Sequence, residues 1–189
     1  MSNILDICPL VRQNAHMSTL HEIGNAVRTR RMEMGLTQDT LARISGLSRS
    51  TVNAVEKQSI GNLSISKAVA LLESIGLSMS VTTTGATHAS SSHRKVAPAR
   101  SALERAAATA GVSYQSAMTA RQLETALVTD DAPLRIRPHL QVLLDEAPVS
   151  LLAKVVDEIH AEKGMAKARV WDRMRHLAHE LQCFRPMWQ

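Results

Sequence analysis

Large aromatic side chains are almost missing from this chain: tryptophan, tyrosine and phenylalanine make up 2% of its 189 residues. Their scarcity, beside abundant Ala, Leu, Ser, Thr and Met, favours cores of packed helices over a β-sandwich. Cysteine is as scarce. Cys8 and Cys183 stand at opposite ends without metal or redox spacing, which excludes a disulfide framework and leaves the reducing cytosol as the default compartment. No apolar run approaches the roughly 18 residues of a membrane span, and the N-terminus lacks a basic region followed by an apolar signal core. A cytoplasmic protein without a membrane partner is expected. A phosphate-cradling glycine loop, a nucleophile elbow and paired carboxylates in a plausible cleft are all lacking, so no enzyme, no catalytic residue and no cofactor is expected.

What is present is enough apolar content, 44% of residues, to build one large domain or two small ones. The formal net charge of +5 suits a nucleic-acid partner.

The strongest local signal runs from Thr37 to Lys57. Thr37 can cap a helix that continues through Gln38 and Asp39, with Leu41, Ala42 and Ile44 on its buried side. Gly46 stops that helix, Leu47 plugs the gap, and Ser48 caps a second one. Behind Ser48, Val52 and Val55 fall on one face while Arg49, Ser50, Asn53 and Lys57 take the others. A helix with such a buried back and polar front fits the DNA major groove, where arginine, asparagine and serine meet base edges.

Around this pair the chain divides into four stretches. Residues 1–17 show no clean period and are expected to form a loose arm or docking segment. A helix is expected from Ser18, with Leu20, Ile23 and Val27 at helical spacing and Gly35 at its end. Ser64 caps a further helix through Ile75, and residues 77–84 then alternate apolar and polar through Leu77, Met79 and Val81, the pattern of one strand. A lone strand leaves its backbone groups without partners, so pairing with the same strand of a second copy predicts a homodimer. Residues 85–100 are small, polar and basic, the composition of a flexible linker. Residues 101–189 are helical again, with the longest segments at 150–163 and 166–183 forming an α-hairpin across Gly164. The fold class expected is therefore all-α, with a helix-turn-helix and strand module at 18–84 and a second helical domain at 101–189.

Residues 23–56 resemble the helix-turn-helix domain of the lambda-repressor and Cro family, also called XRE-type regulators. The resemblance rests on Ile23-Gly24, Val27-Arg28, Arg31, Gly35-Leu36-Thr37-Gln38, Leu41-Ala42, Gly46-Leu47-Ser48, Val52 and Glu56. It implies a compact helical domain in which Thr37 to Ser45 cross the phosphates and Ser48 to Lys57 is the recognition helix. By position in the motif, Arg49, Ser50 and Asn53 are candidates for base contacts, and Thr37, Gln38, Ser48, Thr51 and Lys57 for phosphate contacts. It also implies a partly buried ion pair between Arg31 and Glu56. Within the family, residues 72–81, Leu-Glu-Ser-Ile-Gly-Leu-Ser-Met-Ser-Val, resemble HipB-type antitoxins, which repress their own operon and hold a HipA-like kinase toxin inactive. The implied function is a nucleoid-associated, autoregulatory repressor on a palindromic operator, and the antitoxin of a toxin-antitoxin module. A one-component regulator whose C-terminal domain senses a small ligand or protein is the alternative.

Asp172, His176, His179 and Cys183 share one stripe of the last long helix and are possible metal ligands. The apolar stripe of Val170, Met174, Leu177 and Leu181 lies about 200° away, which turns the histidines to solvent, so no metal site is expected. Trp171 is expected in the core. Met187 and Trp188 at the terminus are candidate anchors for a partner, with intramolecular packing as the even alternative.

Overall fold

The computed structural model describes residues 9–80, 100–111, 117–129 and 132–189, of which 9–19 as backbone only. Among these residues every regular element is a helix, as the aromatic-poor, alanine- and leucine-rich composition predicts. The order is α1 (Pro9–Glu33), α2 (Gln38–Ser45), α3 (Arg49–Glu56), α4 (Ile65–Ser74), α5 (Ala102–Gly111), α6 (Ala120–Thr129), α7 (Arg137–Glu146), α8 (Val149–Lys163) and α9 (Lys167–Glu180). A 3₁₀ turn at Pro186–Trp188 closes the chain.

The helix starts follow from side-chain chemistry. Thr37, Ser48 and Ser64 lie in extended backbone and accept bonds from the amides of Thr40, Thr51 and Lys67 at 3.0, 3.2 and 3.4 Å. Each satisfies an amide that the first helical turn leaves unpaired, worth about 1 kcal/mol. α5 is capped from a distance: the Glu158 carboxylate on α8 accepts from the amides of Ala102 and Leu103 at 2.6 and 3.2 Å.

Two expectations are corrected. α1 begins at Pro9 rather than Ser18, so the expected arm of residues 1–17 is helical from Pro9 onward, while residues 1–8 lie outside the described part. Proline at a first helical position has its φ preset and lacks the amide that would go unpaired there. The strand expected through Leu77, Met79 and Val81 is absent among the described residues: Leu77–Ser80 has no regular structure, and Val81 and the rest of the segment lie outside them. Instead, the Leu77 amide donates to the Leu72 carbonyl at 2.9 Å and closes the C-terminus of α4. The expected linker, 85–100, also lies outside the described residues except for exposed Arg100.

Val27, Leu41, Val52, Val55, Leu71 and Ile75 interlock beneath α1 to α4, and Leu123, Leu140, Leu152, Val156, Met174 and Trp171 fill the space among α6 to α9. These side chains belong to one continuous apolar cluster. α8 and α9 pack as an antiparallel pair across Gly164, which takes left-handed backbone at φ 67°.

The two halves touch at several places, among them the end of α4, where Gly76 lies against Val149 and Ala153 of α8. The Arg175 guanidinium of α9 donates to the Met34 carbonyl at the end of α1, Arg30 stands 3.6 Å from the Asp157 carboxylate of α8, and the 3₁₀ turn lies against α2. Met187 and Trp188 are 3% and 2% exposed, so they are core residues rather than exposed anchors. The Trp188 indole N–H donates to the Leu144 carbonyl at 3.0 Å, and its ring stands 6.4 Å from that of Trp171. Folding the tip inward removes two large apolar groups from water and leaves the indole N–H paired.

Candidate nucleic-acid interface

α2 and α3 meet across Gly46 and Leu47. Gly46 adopts φ 68°, and the Leu47 amide donates to the Ala42 carbonyl at 3.0 Å, ending α2. Leu41, Val52 and Val55 face inward with at most 1% exposure, which fixes the rotation of both helices about their axes. α1 presses on α3 at Gly24, where an added Cβ would fall on the Val55 carbonyl oxygen. Only a residue without a side chain permits that approach.

With its back held this way, α3 turns Arg49 and Ser50 to solvent and keeps Asn53 at the half-buried edge. Arg49 Nη1 stands 3.5 Å from Asp39 Oδ2, both side chains being about two-thirds exposed. An exposed pair of that length is worth well under about 1 kcal/mol, so Arg49 is held ready rather than held fast. Asp39 bears on the recognition face through its place at the start of α2, next to the basic front of α3. Asn53 makes no side-chain hydrogen bond among the described residues, and Lys57, exposed at the end of α3, makes none either. The Ser48 hydroxyl shares hydrogen bonds with Ser50 and Thr51 at 2.9 and 2.8 Å, tying the first turn of α3 into one polar rim. Thr37 occupies the matching place on α2, its hydroxyl 3.0 Å from that of Thr40.

Beneath this rim lies the most connected polar group of the domain. Arg31 Nε and Nη2 donate to Glu56 Oε1 and Oε2 at 2.6 and 2.9 Å, and Arg31 Nη1 donates to the Leu36 carbonyl at 2.8 Å. Gln38 joins them, its amide donating to Glu56 Oε2 at 2.9 Å. One N–H of the Gln38 side-chain amide is thereby engaged by Glu56, and its second N–H and its carbonyl oxygen stay open for the expected phosphate contact. Burial pushes the Glu56 carboxyl up, but the bonds from Arg31 and Gln38, with the charges of Arg31 and Arg28, outweigh it and hold the group below its ordinary value. The network ties the end of α1, the start of α2 and the end of α3 to one another.

The stripe on α9 does not gather. Asp172 is 3.3 Å from Arg175, and Cys183 lies beyond the helix, where burial and then Asp145 push its thiol up to about 11. No group of three or more His, Cys, Asp or Glu side chains suited to a metal occurs among the described residues.

An exposed polar helix front on a buried back, set by a glycine turn and a bidentate buried ion pair, defines a helix-turn-helix DNA-binding module. Residues 27–81 match the helix-turn-helix family model, a similarity that supports the XRE-type resemblance and a DNA-binding regulator. No curated protein and no solved structure matches the chain. Among the described residues no helix is long and apolar enough to cross a membrane.

Proposed function

We propose that the protein is a sequence-specific transcriptional repressor that binds a palindromic operator as a homodimer, in the cytoplasm at the nucleoid, and regulates its own operon. The observation that carries this is the outward front of α3, where Arg49, Ser50 and Asn53 stand on a back fixed by Val52 and Val55. In this reading Arg49 and Asn53 meet base edges, while Thr37, Ser48, Thr51 and Lys57 position the domain on phosphates. Gln38, one N–H of whose side chain is engaged by Glu56, adds a phosphate contact at the start of α2. Two such helices would enter successive major grooves about one turn apart.

Dimerisation through Leu77, Met79 and Val81 is part of the proposal. Its support is Met79, 44% exposed, with Ile65, 73% exposed, at the start of the preceding helix: apolar surface that a second copy would cover. In the two-module organisation proposed, 18–84 binds DNA and 101–189 governs it. The antitoxin role, with a HipA-like kinase as its toxin, rests on the HipB resemblance alone. The sensor role has an observation in its favour, the packing of the C-terminal turn directly on α2.

Selection from a random duplex library tests the reading. The expected outcome is an enriched sequence with twofold symmetry, bound by a dimer in light scattering; a pool without any enriched motif overturns it.

A further inference from the structure

A cleft of about 630 Å³ runs along the seam where the C-terminal turn meets α2 and α4. Arg43 and Ile44 of α2, Glu73 of α4, Val149 at the start of α8, and Arg185 and Met187 of the C-terminal tip all line it. The size is that of an ordinary small-molecule site. Its charges are what set it apart. Arg43 is exposed and makes no ion pair among the described residues, and Glu73 makes none. Arg185 is half-buried, donates through Nη1 to the Ala147 carbonyl at 2.6 Å, and has no carboxylate within ion-pair distance among the described residues. Two guanidinium groups with donors to spare thus line one cleft together with apolar Ile44, Val149 and Met187.

We infer that this cleft binds a small monocarboxylate with an apolar body, its carboxylate held between Arg43 and Arg185 and its body against Ile44, Val149 and Met187. Guanidinium groups match a planar carboxylate in two parallel bonds, which a single ammonium cannot do. Arg185 gains most from such a ligand: burial pushes its guanidinium down from the ordinary value, with only the more distant Asp145 acting the other way. Glu73 supplies the discrimination, since a second anionic group on the ligand would meet its carboxylate. Because one wall is α2, occupancy would alter how the C-terminal turn sits on the reading head. The binding itself does not depend on the DNA reading, and no DNA enters the test.

The full chain is titrated with 3-phenylpropionate, with succinate and inorganic phosphate as comparison probes, and followed through tryptophan emission and the thermal midpoint. Trp188 adjoins Met187 on the cleft wall, so emission reports occupancy. A saturable response to 3-phenylpropionate is expected, weaker ones to succinate and phosphate, and a loss of about tenfold in affinity for Arg43→Ala. Arg43 is exposed, so an unchanged circular dichroism melt accompanies that loss; Glu73→Gln should raise succinate affinity. The inference is overturned if 3-phenylpropionate gives no saturable response, if Arg43→Ala leaves its affinity unchanged, or if phosphate binds as tightly.

Discussion

Arg175, far along the chain in α9, reaches the Met34 carbonyl and lies over Gly35, where an added Cβ would stand 2.7 Å from its Nη2 and 3.0 Å from its Nη1. Gly35 is also in left-handed backbone, at φ 63°. The end of α1 is therefore shaped both by its own turn and by a side chain from the C-terminal half. Gly35→Ala should cost more than about 1 kcal/mol, combining the positive φ with the collision. Arg175→Ala removes the collision but not the φ. In a double-mutant cycle followed by urea unfolding, the two changes should couple by about 1 kcal/mol, with Gly35→Ala less costly when Arg175 is absent. Strict additivity would mean that the two halves do not meet in solution as described.

Glu56 sits at 5% exposure beneath Arg31 and Gln38. Glu56→Ala would strand the Arg31 guanidinium and should destabilise the chain by about 3 kcal/mol, more than Arg49→Ala does. The pH dependence has a fixed sign. A carboxyl held below its ordinary value when folded binds its proton more readily when unfolded, so its contribution is present above the unfolded pKa and lost as pH falls through the folded one. Stability measured from neutral pH downward should therefore decline as the carboxylate range is crossed, and the Glu56→Gln variant should decline less. Equal slopes would remove Glu56 from the account.

The reading head was legible because its signals are local. Thr37 and Ser48 announce helix starts, Gly46 a stop, and Val52 and Val55 a buried face, all within twenty-odd residues of chain. The HipB-like strand was inferred from period-two alternation at Leu77, Met79 and Val81, a pattern that says nothing about where the Leu77 amide goes; the structure gives it to Leu72. The fate of Met187 and Trp188 was open for a related reason, since burial of a terminal tip depends on a surface formed by α7 and α9 that no nearby residue encodes. Long-range pairings such as Glu158 with the start of α5, or Arg175 with Met34, leave no spacing to read.

On DNA, Arg49 and Lys57 should behave differently. Arg49→Ala removes a group capable of bidentate contact to guanine and should cost about 1 to 3 kcal/mol on the selected operator while relaxing preference at one position. Lys57→Ala should weaken all sequences alike and reduce the slope of log affinity against log salt by about one. Binding isotherms at several salt concentrations separate the two. An operator affinity indifferent to Arg49 at fixed salt excludes it from base contact.

Removing residues 185–189 distinguishes a buried tip from a docking tip. The deletion takes away Met187 and Trp188, both buried, together with the Arg185 bond to the Ala147 carbonyl and the Trp188 bond to the Leu144 carbonyl. Replacing a buried tryptophan alone typically costs about 3 to 5 kcal/mol, so the truncated chain should melt well below the intact one. Trp188→Phe should be milder, because it keeps most of the volume and loses chiefly the indole bond. A terminal segment that served only to dock a partner would leave the melt untouched in both variants, and the Trp171 emission that remains would keep the same wavelength. Compared with the Trp188→Phe chain, in which Trp171 is the sole tryptophan, the truncated chain should emit further to the red, since Trp171 loses the neighbouring ring that shields it from water.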